Sequence, residues 1–241
     1  MRINSIYLLL HYPLKYMAYI LHIDTTTKKC SVALALNGEL CSEKELLSDT
    51  FSHSEKLHVF IKEVLNKGGI EANQLEAVAI SKGPGSFTGL RIGVAAAKGL
   101  CFALDIPLIA INTLEVMVQP CSVSTHTFII PMLDARRMEV YTAVFDSDKN
   151  CVDKTSSMVL SEVSFQNIVG DEPCLIIGDG ATKFKNLHPK INAFFTEEVV
   201  YPSASEMFSL ALERFKKLEF ESLAYFEPFY LKDFHSTPSK K

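Results

Sequence analysis

Two stretches of this 241-residue chain begin in the same way. "YILHID", Tyr19 to Asp24, is an apolar run that closes on an aspartate, and "TFIIPMLDA", Thr127 to Ala135, contains another. Two more strand-like segments follow each. After the first come "SVALAL" (Ser31 to Leu36) and "LCSEKELL" (Leu40 to Leu47), joined through Asn37–Gly38, the strongest short-range hairpin signal. After the second come "MEVYTAVF" (Met138 to Phe145) and "CVDKTSSMVL" (Cys151 to Leu160). Both sets continue through a helical stretch into a strand that runs into glycines: Leu75 to Ser81 before Gly83–Gly89, and "CLIIGDGA" from Cys174 to Ala181. A unit of three strands, helix, strand and helix, used twice, predicts an α/β fold with two mixed β-sheets, each flanked by helices.

The helices differ in kind. "HSEKLHVFIKEVLNKGG" carries Leu57, Phe60, Ile61, Val64 and Leu65 on one stripe, with Ser52 or Ser54 as a cap and Gly68 as a stop. Further helices are expected at Ser161 to Val169 and Glu206 to Lys217. The stretch from Thr88 to Leu104 is apolar around most of its circumference, with only Arg91 and Lys98 charged. Its second face is covered either by its own domain or by a partner. Gly89, Gly93, Ala96, Ala97 and Gly99 would let a second helix approach closely. The expected contact surface is Arg91, Val94, Ala97, Lys98 and Phe102, rimmed by His53, Lys56 and Val59 of the preceding helix.

The loop Gly83–Gly89 admits two readings. It is not a Walker A loop, because Leu90 stands where the lysine belongs. It is not a dinucleotide fingerprint, because Thr88 replaces the third glycine. What remains is a strand-to-helix loop in which Gly83, Gly85, Ser86, Thr88 and Gly89 could hold an anion on the helix N-terminus, or a tight turn that lets helix and sheet pack. Asp24 with Thr25 suits a Mg²⁺–phosphate position or a simple turn cap. Asp134 and the Gly178–Asp179–Gly180 loop are their counterparts in the second half, so a cleft between the halves is expected. His53 and His58 stand five residues apart, off one helical face, and no metal site or catalytic set follows from the histidines.

Composition bounds the rest. A net charge of -4 argues against a protein that wraps nucleic acid unaided. Six scattered cysteines with no C-x-x-C pair read as free thiols of a reducing cytosol. No uninterrupted apolar run reaches the roughly 18 residues of a membrane span. The opening "MRINSIYLLLHYPLKYMAY" is broken by His11 and Pro13, so residues 1–16 are expected to be an extension, with Met17 as the functional start. Residues 17–114 and 115–232 then form the two subdomains, and 233–241 a disordered tail.

"ILHIDTTTKKCSVAL", "HSEKL", "SKGPGSFTGLRIGVAAAKGL", "IPLIAINTLEVM" and "LDARRMEVYTAVF" together resemble the TsaB (YeaZ) family, the dimerisation subunits of the bacterial tRNA threonylcarbamoyladenosine complex. The run G-P-G-S-F-T-G-x-R-I-G is shared with that family's catalytic paralogue, TsaD. The resemblance implies the duplicated ASKHA fold of actin and Hsp70. It also implies a cytoplasmic partner of TsaD, which transfers threonylcarbamoyl to adenosine in ANN-reading tRNAs. A TsaE-like ATPase, tRNA reached through the complex, and a homodimer in the absence of the paralogue belong to the same implication. ATP or ADP with Mg²⁺ stays open as a ligand of the assembled complex. The chain lacks the H-x-x-x-H metal site of TsaD, and Thr26 replaces a glycine of the usual phosphate loop. Both departures favour a non-catalytic paralogue over an ATP-using ASKHA enzyme in its own right. A peptidase, the third reading, is disfavoured by the histidine spacing.

Overall fold

The computed structural model describes residues 18–48, 53–122, 127–187 and 190–232. The N-terminal extension, the start at Met17 and the C-terminal tail lie outside the described residues. The first sheet is built from β1 (Tyr19–Asp24), β2 (Lys29–Leu36), β3 (Glu39–Leu47), β4 (Leu75–Gly83) and β5 (Leu108–Asn112), in the order β3-β2-β1-β4-β5. β1, β2 and β3 are antiparallel, whereas β4 and β5 run parallel to β1. The β2–β3 turn has Asn37 and Gly38 at φ 54° and 85°, the backbone that an Asn-Gly hairpin supplies without strain.

The second sheet repeats this plan. β6 (Phe128–Asp134), β7 (Glu139–Asp146), β8 (Cys151–Val159), β9 (Cys174–Ile177) and β10 (Ala193–Phe195) lie in the order β10-β9-β6-β7-β8. Reading from the third strand of each copy, the two orders coincide, so the duplication expected from the two aspartate-ended strands is present in space. The short β10 carries little hydrophobic pattern and was not expected from the residues.

The helices are where the copies diverge. In the first, α1 (His53–Gly68) and α2 (Phe87–Leu104) cover one face of the sheet. Leu57, Phe60, Ile61 and Val64 of α1 meet Val94, Ala97 and Cys101 of α2 over Leu21, Ile23, Val32 and Ile80 in one apolar core. Each buried Leu, Ile, Val or Phe among them contributes roughly 1.5–3 kcal/mol by leaving water. In the second copy the corresponding helices shrink to α4 (Gln166–Val169) and α5 (Ala181–Asn186). The helix expected over Ser161–Val169 thus exists only in its last turn. The Ser164 hydroxyl accepts the Ser161 N–H, and Phe165 adopts φ 70°, so the serines divert the backbone before a helix can start.

The opposite face of the first sheet is covered by α3 (Thr113–Met117), unforeseen in the sequence, and by α6 (Phe208–Lys216), which begins after a 3₁₀ turn at Ala204–Glu206. α6 is thus close to the expected Glu206–Lys217 helix. The chain then runs back along the first half: Glu221 pairs with Leu108, and Phe226 enters the α1–α2 core. A boundary at Glu115 follows the order of the sequence, whereas in space residues 204–232 rest largely on the first sheet.

Candidate functional site

The glycine loop closes on the turn that follows β1. Thr26 accepts the Ser86 N–H through its backbone carbonyl at 2.6 Å, and the Thr25 hydroxyl donates to the Gly89 carbonyl at 2.7 Å. A Cβ on Gly89 would stand 2.0 Å from the Thr25 carbonyl oxygen, and one on Gly85 2.4 Å from that of Thr26. Only glycine lets the loop come this close. Ser86 is the N-cap of α2, its hydroxyl accepting the Gly89 N–H at 3.3 Å, and the exposed Thr88 belongs to the first turn of the helix. His53 at the start of α1 joins the same knot, with Nε2 2.7 Å from the Thr27 carbonyl.

Asp24 sits behind this knot and is fully buried. Its Oδ1 accepts both the N–H and the hydroxyl of Thr26, each at 2.9 Å. Burial pushes the carboxyl up from the ordinary aspartate value, against the pull of the Thr26 hydrogen bonds. Its other oxygen is also shut off from solvent. These residues do not fit a magnesium–phosphate group: the Ser86 N–H goes to the Thr26 carbonyl, the Gly89 N–H goes to Ser86 Oγ, and neither Asp24 oxygen opens onto solvent. Of the two readings of the loop, tight packing of helix on sheet describes the geometry.

The second-half counterparts are occupied in a different way. Gly180 N–H donates to the Met132 carbonyl at 3.0 Å, and Gly178 lies on the same carbonyl with φ 99°. Asp179 accepts the Asp134 N–H at 2.8 Å, and burial pushes its carboxyl up. Asp134 accepts the Lys183 ammonium at 2.7 Å and the Arg136 N–H at 2.6 Å. Among the described residues no hydrogen bond or ion pair joins Asp24 to Asp134. What spans the two sets is the C-terminal segment. Phe229 N–H donates to the Lys82 carbonyl at 2.7 Å, Tyr230 stacks on Phe87 at 5.0 Å, and Lys232 reaches the Ala135 carbonyl and the Glu139 carboxylate.

The candidate contact surface is partly as expected and partly corrected. Lys56, Val59, Arg91 and Phe102 are exposed, Phe102 at 84% of its full area. Lys98 is half-buried and donates to the Phe226 carbonyl at 2.9 Å. His53, Val94 and Ala97 are buried inside the domain, at 2%, 5% and 0% exposure, and present nothing to a partner. The open face of α2 is instead Thr88, Arg91, Ala95, Gly99 and Phe102; Gly99 was expected as a point of close helix approach, whereas Ala95 was not foreseen. Their spacing of three and four residues was the available signal; an apolar residue on either side of such a helix looks alike in sequence. Eighteen apolar-rich residues also make α2 long enough to cross a bilayer, but its Gly93–Val94–Ala97–Cys101 side is packed on the sheet.

Residues 50–235 match the family described as TsaD: tRNA N6-adenosine threonylcarbamoyltransferase. The tRNA threonylcarbamoyladenosine biosynthesis protein TsaB of Escherichia coli K12 is 30% identical over 222 residues, spanning 89% of this chain and 94% of that protein. The chain belongs to the TsaB family. YeaZ of Pseudomonas aeruginosa superposes with a TM-score of 0.74 at 25% identity, over 89% of this chain and all of that one. A tRNA N6-adenosine threonylcarbamoyltransferase of Streptococcus thermophilus is 35% identical over 114 residues, 39% of this chain and 32% of the enzyme. TsaB-family membership and the two repeated sheets together give the ASKHA-type fold that the motifs implied.

Proposed function

We propose that this TsaB-family chain is a non-catalytic subunit that docks the TsaD-type transferase through α1 and α2 and supports threonylcarbamoyl transfer to ANN-decoding tRNAs. The observation that carries this reading is the outer face of α2, where Ala95 and Gly99 leave a shallow apolar strip beside an almost fully exposed Phe102. Nothing lies within 4 Å of a Cβ placed on Gly99, so a second helix can approach there. Burying Phe102 would contribute roughly 1.5–3 kcal/mol to such a contact. Val59 and Lys56 are exposed on α1.

Sequence similarity to a transferase of the same pathway supports a partner built on the same plan, so that two α1–α2 pairs could meet face to face. A second copy of this chain would meet the same face when the transferase is absent. A TsaE-like ATPase and tRNA complete the proposed assembly, which operates in the cytoplasm, where its substrate is. The filled glycine loop speaks against an ATP-using enzyme in its own right, and the histidine spacing against a peptidase.

Co-expression of the full chain with its transferase paralogue tests the reading. The two should co-purify, and the isolated chain should leave tRNA unmodified when given the activated threonylcarbamoyl donor. Modification by the isolated chain, or failure of the paralogue to bind it, would refute the proposal.

A further inference from the structure

An aromatic stack joins the open face of α2 to the end of the chain. The exposed Arg91 guanidinium lies over the Phe87 ring at 4.1 Å, and the Tyr230 ring packs on Phe87 at 5.0 Å. Arg91 Nε–H also donates to the Tyr230 hydroxyl at 3.2 Å. The side chain is thus held at two points, by the ring beneath it and by the bond at Nε. Tyr230 is itself fixed on both sides. Phe229 N–H donates to the Lys82 carbonyl at 2.7 Å, and Lys232 reaches the Ala135 carbonyl and the Glu139 carboxylate. A free surface arginine keeps its rotamer entropy; this one has given it up before any partner arrives.

No carboxylate meets this guanidinium. Arg91 is in no ion pair among the described residues, and α2 contains neither Asp nor Glu. With Nε engaged, Nη1 and Nη2 remain to donate, the pair of nitrogens that meets a carboxylate as a fork. Lys98, the other cation of the helix, is taken up by the Phe226 carbonyl at 2.9 Å. The face therefore offers one free positive group beside the apolar strip of Ala95, Gly99 and Phe102. A nucleic-acid strand needs a row of cations, whereas one acidic side chain on a protein surface needs a single fork. We infer that Arg91 receives an aspartate or glutamate of the docked transferase, with Phe87 and Tyr230 as the positioning residues that hold the guanidinium for it. This rests on α2 being the docking face, and adds the chemistry by which the partner is selected.

Calorimetric titration of the full chain with its purified transferase paralogue tests the inference. Arg91→Ala should weaken binding about tenfold, and Tyr230→Phe, which keeps the ring and removes the hydroxyl, about threefold. Both variants should keep the melting temperature of the unbound chain within a degree or two. In the Arg91→Ala background the Tyr230 hydroxyl should make no further difference, because it acts only through the guanidinium. Added salt should weaken the wild-type complex more than the Arg91→Ala complex. A transferase that does not bind the wild-type chain refutes the docking reading, and this inference with it. If the transferase binds, equal affinity for Arg91→Ala, or the same loss from Tyr230→Phe in both backgrounds, overturns the carboxylate receptor alone. An unpaired oligoribonucleotide whose binding to the full chain depends on Arg91 would assign the fork to phosphate and overturn it as well.

Discussion

His22 and His53 show how far one residue type can differ within a single knot of structure. His22 is fully buried on β1, and burial pulls its pKa from 6.5 down to about 4. An unfolded chain takes up this proton more readily than the folded one. Stability is therefore whole above pH 6.5 and falls as the pH drops toward 4, by roughly 3 kcal/mol from this group. Asp24 acts in the opposite sense, since its raised pKa favours the folded state as acid is added. Urea titrations between pH 7 and 4 should show a shallower loss of stability for His22→Leu than for the wild type; parallel curves would mean that His22 carries no such linkage. His53 holds the Thr27 carbonyl, and His53→Ala should cost about 1–3 kcal/mol by leaving a buried acceptor unpaired, measurable as a lower midpoint in the same titration. His22 lies inside the apolar run that marks β1 in the sequence. The burial of His53 was not legible, because the carbonyl it binds belongs to a turn that only the folded chain brings to it.

At the scale of the element, α2 is the most informative. Its existence, its start at the glycine loop and its end at Asp105 were plain in the residues, and so was its surplus of apolar surface. Which side faces inward was not, since small apolar residues line both. The structure makes the distinction testable with two neighbouring alanines. Ala95→Glu changes an exposed position and should leave the melting temperature within a degree or two while removing the transferase from co-purification. Ala97→Glu places a charge in the closed core and should leave little folded protein. Retention of the partner by a folded Ala95→Glu variant at wild-type yield would move the interface elsewhere. The short elements β10, α3 and α5 went unread for a related reason: three to six residues are too few to display a period. The helix expected over Ser161–Val169 failed because serine hydroxyls compete for the backbone, an effect that apolar spacing does not register.

For the whole molecule, the duplication was legible from two aspartate-ended strands, and the tie between the halves was not. Besides the Asn112–Thr155 hydrogen bond and the packing of Leu114 and Met117 on the second sheet, a tie is made by the segment after α6, which joins β5 at Glu221, seats Phe226 in the first core, and crosses to Ala135 and Glu139 through Lys232. Ending the chain after Lys217 should expose the β5 edge and the Phe226 seat, and lower the thermal midpoint by several degrees; an unchanged midpoint would make the segment an ornament. The same arrangement has a meaning in time. All five strands of the first sheet are synthesised before residue 113, yet the helix and the phenylalanine that finish their two faces follow only after the whole second sheet. Domains usually fold in the order in which they emerge. Here the half that is made first must wait for α6 and Phe226 before it can close, so a ribosome that stalls between the second sheet and α6 leaves an apolar sheet face uncovered rather than one finished domain.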